Sequence, residues 1–283
     1  MAPPVSLGGV SLLGRQRGVP PVPASLLAVL TIAVISFAGP AVLGIDPNAT
    51  DPANAFAPVS GQHWLGTDEI GRDLLVRMMA GGRLSLTVAF GSVAIAFVIG
   101  TAWGALAAAR RGWVDELLMR TADIAMAVPQ ILFALVCVAA FGASLPSLIV
   151  ITGLLLAPTS ARMARSVVLQ EMSMDYYAAA VAYGAGPVRR MLLEVLPNTT
   201  AALSSQAVIN AASAMILEAS LSFVGLGVQP PDMSWGVLLQ QGYGYLYNSA
   251  TYAAAPAVAI VVTVFLLNLS ADRLGGATRR GVR

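Results

Sequence analysis

The 283-residue chain holds one histidine, His63, one cysteine, Cys137, and no lysine. These three facts restrict its chemistry more than any motif it contains. Without lysine there is no GxxxxGK[ST] phosphate-binding loop, in which the lysine reaches the nucleotide phosphates, and no Schiff-base chemistry. A single histidine excludes the HExxH zinc motif, so any metal site would rest on carboxylates. A hydrolytic pair of His63 with Ser85 or Ser160 would require the segment around His63 and Trp64 to fold deep between apolar runs. Cys137 lies inside one of those runs, where a lone thiol is packing material and closes no intrachain disulfide. Two carboxylates remain. Glu218 falls well inside an apolar run, where an ionisable group is costly and must face a cavity, a partner helix or a hydrogen-bond donor. It reads as a group lining a polar path, a latch at a protein interface, or a protonated and satisfied structural residue. Asp123 lies within one turn of Arg120 and is expected to pair with it.

The elements that must position these groups are apolar helices. Hydrophobic residues make up 57% of the chain and charged residues 11%, against roughly 25% charged in an ordinary soluble domain. Six apolar runs, at 25–44, 86–109, 119–140, 146–163, 200–224 and 252–271, approach the length needed to cross a bilayer. An all-α polytopic membrane protein is therefore predicted, with residues 25–275 as the membrane domain, 1–24 as an N-terminal tail and 276–283 as a C-terminal one. With the N-terminus inside, Arg15, Arg17, Arg110, Arg111, Arg120, Arg162, Arg165, Arg189, Arg190, Arg273, Arg279, Arg280 and Arg283 face the cytosol, and only Arg72, Arg77 and Arg83 lie outside. That asymmetry predicts cytoplasmic termini. The first run can also be read as a cleaved signal peptide, since Arg15 and Arg17 precede it and small residues follow. A net charge of +2 with no basic run among aromatics gives no footing for nucleic acid.

Between the fourth and fifth runs lies a charged loop, 171–197, EMSMDYYAAAVAYGAGPVRRMLLEVLP. Asp175 is placed to cap a short helix over Tyr176 to Tyr183, which Gly184 ends in a left-handed turn. Gly186-Pro187 opens a second helix, and Leu196-Pro197 closes it. Such a pair of short helices, carrying Arg189 and Arg190, suits the docking of a soluble partner. Ala178, Ala179 and Ala180, then Gly184, then Leu196-Pro197, resemble the coupling loop of ABC importer permeases, usually EAA, three residues, Gly and a later Leu-Pro. Two positions depart from that pattern: Ala178 stands where Glu is usual, and Glu194 where Ile is common. Losing the first carboxylate removes a salt bridge to the ATPase that the pattern would allow; Tyr176, Arg189 and Arg190 are the remaining polar contacts.

Three further segments carry the resemblance toward the dipeptide- and oligopeptide-type permeases, in the second subunit of their pair. Residues 63–86, HWLGTDEIGRDLLVRMMAGGRLSL, look like the stretch before the second span. Asp68 is predicted to cap an interfacial helix with Ile70, Leu74, Leu75, Met78 and Met79 on one side and Arg72, Asp73 and Arg77 largely on the other, broken by Gly81-Gly82. Residues 216–236, ILEASLSFVGLGVQPPDMSWG, resemble the end of the fifth span and the loop after it. Gly225 and Gly227 stop the helix, and Trp235 is expected at headgroup depth. Residues 119–130, MRTADIAMAVPQ, resemble the start of the third span, which Pro129 should kink. Trp64, Asp68, Arg72 and Trp235 are the candidate outer-loop contacts; Glu218, Asp123 and Pro129 are the candidates for a translocation path or a permease interface.

The resemblance implies a type I ABC importer permease fold of six spans with short cytosolic coupling helices, in the bacterial cytoplasmic membrane. It implies a second homologous permease, two ATPase subunits holding ATP and Mg2+, an extracytoplasmic binding protein and a peptide substrate, with nickel, glutathione or haem as alternatives. This chain would bind no cofactor or metal and catalyse no covalent step. The rival class is an ion-gradient-driven carrier, which would show inverted repeats and buried carboxylates for its ion. No repeat is evident, and only Glu218 and Asp123 are candidate ion ligands. A purely structural scaffold is a third class, weakened by the elaborate 171–197 loop.

Overall fold

The computed structural model describes residues 24–280, with side chains through residue 275. Of the expected tails, residues 1–23 and 281–283 lie outside that range, while 276–280 continue the last helix instead of forming a separate tail. Ten helices follow one another: α1 Ala24–Leu43, α2 Leu74–Arg110, α3 Gly112–Ala127, α4 Gln130–Phe141, α5 Leu145–Glu171, α6 Asp175–Ala182, α7 Pro187–Arg189, α8 Leu196–Phe223, α9 Trp235–Gly244 and α10 Ala250–Arg280. Among the described residues five helical stretches are long and apolar enough to cross a membrane: α1, α2, α5, the run Pro187–Phe223, and Ala250–Gly275 of α10. α3 and α4 make the sixth crossing if taken as one bent span.

The third predicted run is broken instead of kinked. α3 and α4 meet at 86° across Val128-Pro129. Proline both lacks its N–H and drives the residue before it out of the helical region, and Val128 accordingly sits at ψ 129°. Elsewhere the helices overrun the apolar segments because their polar ends find partners. α5 begins with a reciprocal Ser144–Ser147 capping box. It continues past residue 163 because Arg165 grips Asp115 of α3 through Nε and Nη2, at 2.5 and 2.6 Å.

The expected break at Gly81-Gly82 does not occur; α2 is unbroken over 37 residues. Each glycine costs a helix interior only about 1 kcal/mol, and α9 fills the space they leave. A Cβ on Gly82 would lie 2.7 Å from Trp235 Cζ2, and one on Gly81 3.1 Å from Leu238 Cδ1. The cap of α2 is Asp73, whose side chain accepts from Val76 N, and not Asp68. His63 Nδ1 lies 2.9 Å from the other oxygen of Asp73.

The closest helix pair is α2 against α5. Gly100 and Gly104, one turn apart on α2, sit against Ala157, Ser160, Ala161 and Ala164 of α5 so tightly that no side chain would fit at either position. Apolar burial drives little between helices in lipid, so small residues that let backbones approach supply the packing. Polar cross-links add to it: Ser92 Oγ donates to Ile149 O at 3.1 Å, Asn210 Nδ2 to Ser160 Oγ at 2.7 Å, Ser205 Oγ to Ala271 O at 2.8 Å and Ser270 Oγ to Ser25 Oγ at 2.8 Å. The main core gathers Leu74, Leu86, Met215, Trp235, Leu238 and Tyr252 from α2, α8, α9 and α10.

Candidate functional site: the 171–197 loop and two polar clusters

In the 171–197 loop Asp175 is the first residue of α6, not its cap. The cap position is Met174, which makes no side-chain bond. Gly184 adopts φ +74° and ends the helix. Nothing lies within 4 Å of where its Cβ would stand, so the backbone angle alone calls for glycine there. Gly186 and Pro187 open α7 as expected.

Leu196-Pro197 does not close this second helix. A π-helical turn, Arg190–Val195, carries the chain from α7 straight into α8, with Leu196 N donating to Met191 O. The wider turn accommodates a proline that lacks its own N–H and crowds the carbonyl four residues back. Leu196 packs with Tyr177, Met191 and the buried Val168 and Val195 at the foot of α2 and α5.

The predicted polar contacts divide. Tyr176 turns inward and donates to Glu171 Oε2 at 2.7 Å. Its phenol is pushed up to about 12, first by burial and then by that hydrogen bond. Arg190 also faces inward, its guanidinium 5.2 Å from the ring centre of Tyr177 and its buried Nε without a hydrogen-bond partner. Arg189 is exposed, as are Ala178 and Ala179; Ala180 is half-buried and Pro197 is exposed. Around them stand apolar side chains that the sequence reading passed over: Val181, Tyr183, Val188, Leu192 and Leu193 are all exposed, Tyr183 at 91%. Helical spacing of large apolar residues inside an otherwise polar loop was the available signal.

The first polar cluster surrounds Glu218, 1% exposed. Ser85 Oγ of α2 donates to its Oε2 at 3.0 Å, and Ser222 Oγ to its Oε1 at 2.7 Å. Ser234 Oγ lies 3.2 Å from Ser222 Oγ, and Trp235 N donates to Ser85 Oγ at 3.1 Å. Glu218 thus lies against serines of its own chain and joins α2, α8 and the start of α9. Trp235 is not a belt residue: it is 3% exposed, lies over Gly82 and donates through Nε1 to Met78 O at 2.8 Å. Asp123 is exposed and pairs with Arg162 at 3.7 Å, while Arg120 reaches Glu116 at 3.8 Å.

The second cluster lies in the segment before α2. Asp68 is fully buried and organises its own turn, Oδ1 accepting from Ile70 N at 3.0 Å and Arg72 N at 2.9 Å. Arg72 Nε donates to Asp68 Oδ2 at 2.5 Å, and Arg72 Nη2 to Glu69 Oε1 at 3.0 Å. Arg77, expected on the polar side of that helix, is instead buried here, and Gln241 and Tyr252, not singled out from sequence, complete the cluster. The Tyr252 hydroxyl lies 2.9 Å from Glu69 Oε2 and 3.1 Å from Gln241 Oε1. Trp64, by contrast, is exposed and apart from it. No group of three or more His, Cys, Asp or Glu among the described residues is placed to hold a metal.

Residues 100–283 match the model of the family described as binding-protein-dependent transport system inner membrane component. A di/tripeptide transport system permease protein of Pseudomonas aeruginosa is 35% identical over 258 residues, covering 89% of this chain and 85% of that protein. A probable D,D-dipeptide transport system permease protein of Escherichia coli is 32% identical over 93% of this chain and 89% of its own length. A glutathione transport system permease protein of Pectobacterium atrosepticum is 34% identical over 77% and 72%. In three dimensions the chain is similar to an inward-facing structure of the MetNI methionine ABC transporter, with TM-score 0.60, 25% identity, and 72% of this chain against 96% of that one. A bundle of crossing helices held by small residues and polar cross-links, interrupted by one helical loop, is thus matched by sequence and by shape, and the chain belongs to the family of inner-membrane components of binding-protein-dependent transport systems.

Proposed function

We propose that this chain is the second permease subunit of a peptide-type ABC importer in the bacterial cytoplasmic membrane. Support for peptide as cargo comes from relatives whose names refer to di- and tripeptides, D,D-dipeptides and glutathione, itself a peptide. ATP and Mg2+ belong to two separate ATPase subunits, because a chain without lysine has no P-loop. A homologous permease and an extracytoplasmic binding protein complete the assembly. The arginine distribution supports cytoplasmic termini and a cytosolic 171–197 loop.

The observation that carries this reading is the run of exposed large apolar side chains along α6, α7 and the π-helical turn, Val181, Tyr183, Val188, Leu192 and Leu193, with Arg189 exposed among them. Five exposed large apolar side chains on a loop that the arginine distribution places in the cytosol call for a protein partner. ATP binding on that partner would favour one arrangement of the bundle over another, which is all that coupling requires. An ion-gradient-driven carrier needs no such surface, and the Glu218 carboxylate available for an ion is enclosed by serines.

Co-purification of the intact chain with its neighbouring gene products, wild type beside Gly184→Arg, tests the proposal. An ATPase pair should elute with wild type and be lost with the substitution. Elution of the wild-type chain with no ATPase would overturn the importer reading.

A further inference from the structure

Arg77 is 2% exposed on the first turn of α2. Burying a guanidinium is costly unless its charge and its five donors are matched. The matching here is incomplete. Nη2 donates to Gln241 Oε1 at 3.3 Å, and Nε lies 3.3 Å from Asp68 Oδ2 without hydrogen-bond geometry. Nη1 has no hydrogen-bond partner. Asp68 offsets the charge as an ion-pair partner, but both of its oxygens already accept from Ile70 N, Arg72 N and Arg72 Nε, and it leaves Nε and Nη1 of Arg77 without a hydrogen bond. Glu69 is likewise committed, one oxygen to Arg72 and the other to Tyr252.

Arg77 forms part of the wall of a cavity of about 380 Å³, together with Arg72, Gln241, Asn48 and the 230–232 turn. Two arginines and two side-chain amides, Gln241 and Asn48, therefore line one space that is open at an exposed rim. Asp232 stands on that rim. Its charge disfavours a polyanion, so the fit is to a single carboxylate, which an arginine receives through paired N–H donors.

The geometry points to a carboxylate-binding socket at the Arg77 end of α2, on the side of the bundle where the importer reading places the outer face. The carboxylate has two sources: the free C-terminus of a peptide, or an acidic side chain of the protein that delivers it. The inference rests on the importer reading for the identity of these ligands, not for the socket itself.

The test uses the chain in its purified complex, in nanodiscs, as wild type, Arg77→Gln, Arg77→Lys and Gln241→Glu. Gln241→Glu removes no charge and places a carboxylate beside Arg77, occupying the socket from within. One arm measures binding of the dipeptide Ala-Ala and of its C-terminal amide. The other measures binding of the peptide-loaded binding protein. Arg77→Gln and Gln241→Glu should each weaken binding at least tenfold in one arm, with Arg77→Lys retaining part of it. Loss of Ala-Ala binding, with the amide weak throughout, assigns the socket to the peptide terminus; loss confined to the second arm assigns it to the delivering protein. Unchanged binding of both ligands by Gln241→Glu overturns the socket, even if Arg77→Gln fails to assemble. Co-purification of the ATPase pair is scored separately, so a failed importer reading and a failed socket give different results.

Discussion

Ser85 and Glu218, 133 residues apart in sequence, meet through a single buried hydrogen bond of 3.0 Å, and the same hydroxyl accepts from Trp235 N. That one serine ties α2, α8 and α9 at a point. Glu218→Ala should strand the Ser85 and Ser222 hydroxyls and leave a cavity. The two effects together cost about 2–4 kcal/mol. Glu218→Gln, which keeps the shape and an acceptor, should cost about 1 kcal/mol. Thermal unfolding of the detergent-solubilised chain checks the order; equal effects would show that shape and one acceptor do not suffice and that the carboxylate itself holds the three helices.

Gly104 should tolerate no side chain. A Cβ there would stand 2.7 Å from Arg165 N and closer still to Ala161 O, both backbone atoms of a rigid helix. Gly104→Val should cost about 3 kcal/mol or more, at the upper end of overpacking. A sharp fall in the yield of folded protein is the expected readout, with Gly112→Val as a comparison for strain without crowding, since nothing lies within 4 Å there.

Gly184 presents the opposite case, open space with φ +74°. Gly184→Ala should cost about 1 kcal/mol from the left-handed backbone alone and should keep ATPase binding. Gly184→Arg pays the same strain but adds a charged side chain beside Tyr183. Pull-down of the ATPase by the alanine variant but not the arginine variant is the expected outcome.

Tyr176 sets a pH window. Its folded-state pKa of about 12 stands above the ordinary 10.0, so the folded chain holds this proton more tightly than the unfolded one. The resulting stabilisation is fully present below about pH 10 and is lost as pH rises toward 12. Tyr176→Phe should therefore change no pH dependence of stability between pH 6 and 9, and should flatten the loss above pH 10. Melting temperatures across that range, with absorbance titration of the phenols, check both halves.

Helix existence was legible from apolar run length, because a bilayer leaves few other ways to satisfy a backbone. Helix ends were not. Gly81-Gly82 reads as a break, yet it is the place where Trp235, more than 150 positions later, lies across the helix; a purely local reading cannot see the filler. Leu196-Pro197 reads as a stop for the same reason, since nothing local announces a π-helical turn. In the site, the left-handed Gly184 and the opening of α7 at Pro187 follow from backbone chemistry and were predictable. The inward turn of Tyr176 and Arg190 depends on where α2 and α5 end. The burial of Arg77 was not legible, because the elements that cover it, carrying Gln241 and Tyr252, come from the far end of the chain.

Because Pro187 to Phe223 form one helical stretch of 37 residues, the second half of the 171–197 loop and Glu218 belong to a single rod about 55 Å long. Glu218 lies near one tip and the exposed loop near the other. Under the importer reading such a rod would serve as a lever: a tilt imposed at the loop would reach Ser222 and, through Ser85 and Ser234, bear on α2 and α9. The π-helical turn then sits close to the driven end, so any slack it provides is taken up there and the long arm beyond it moves as one piece.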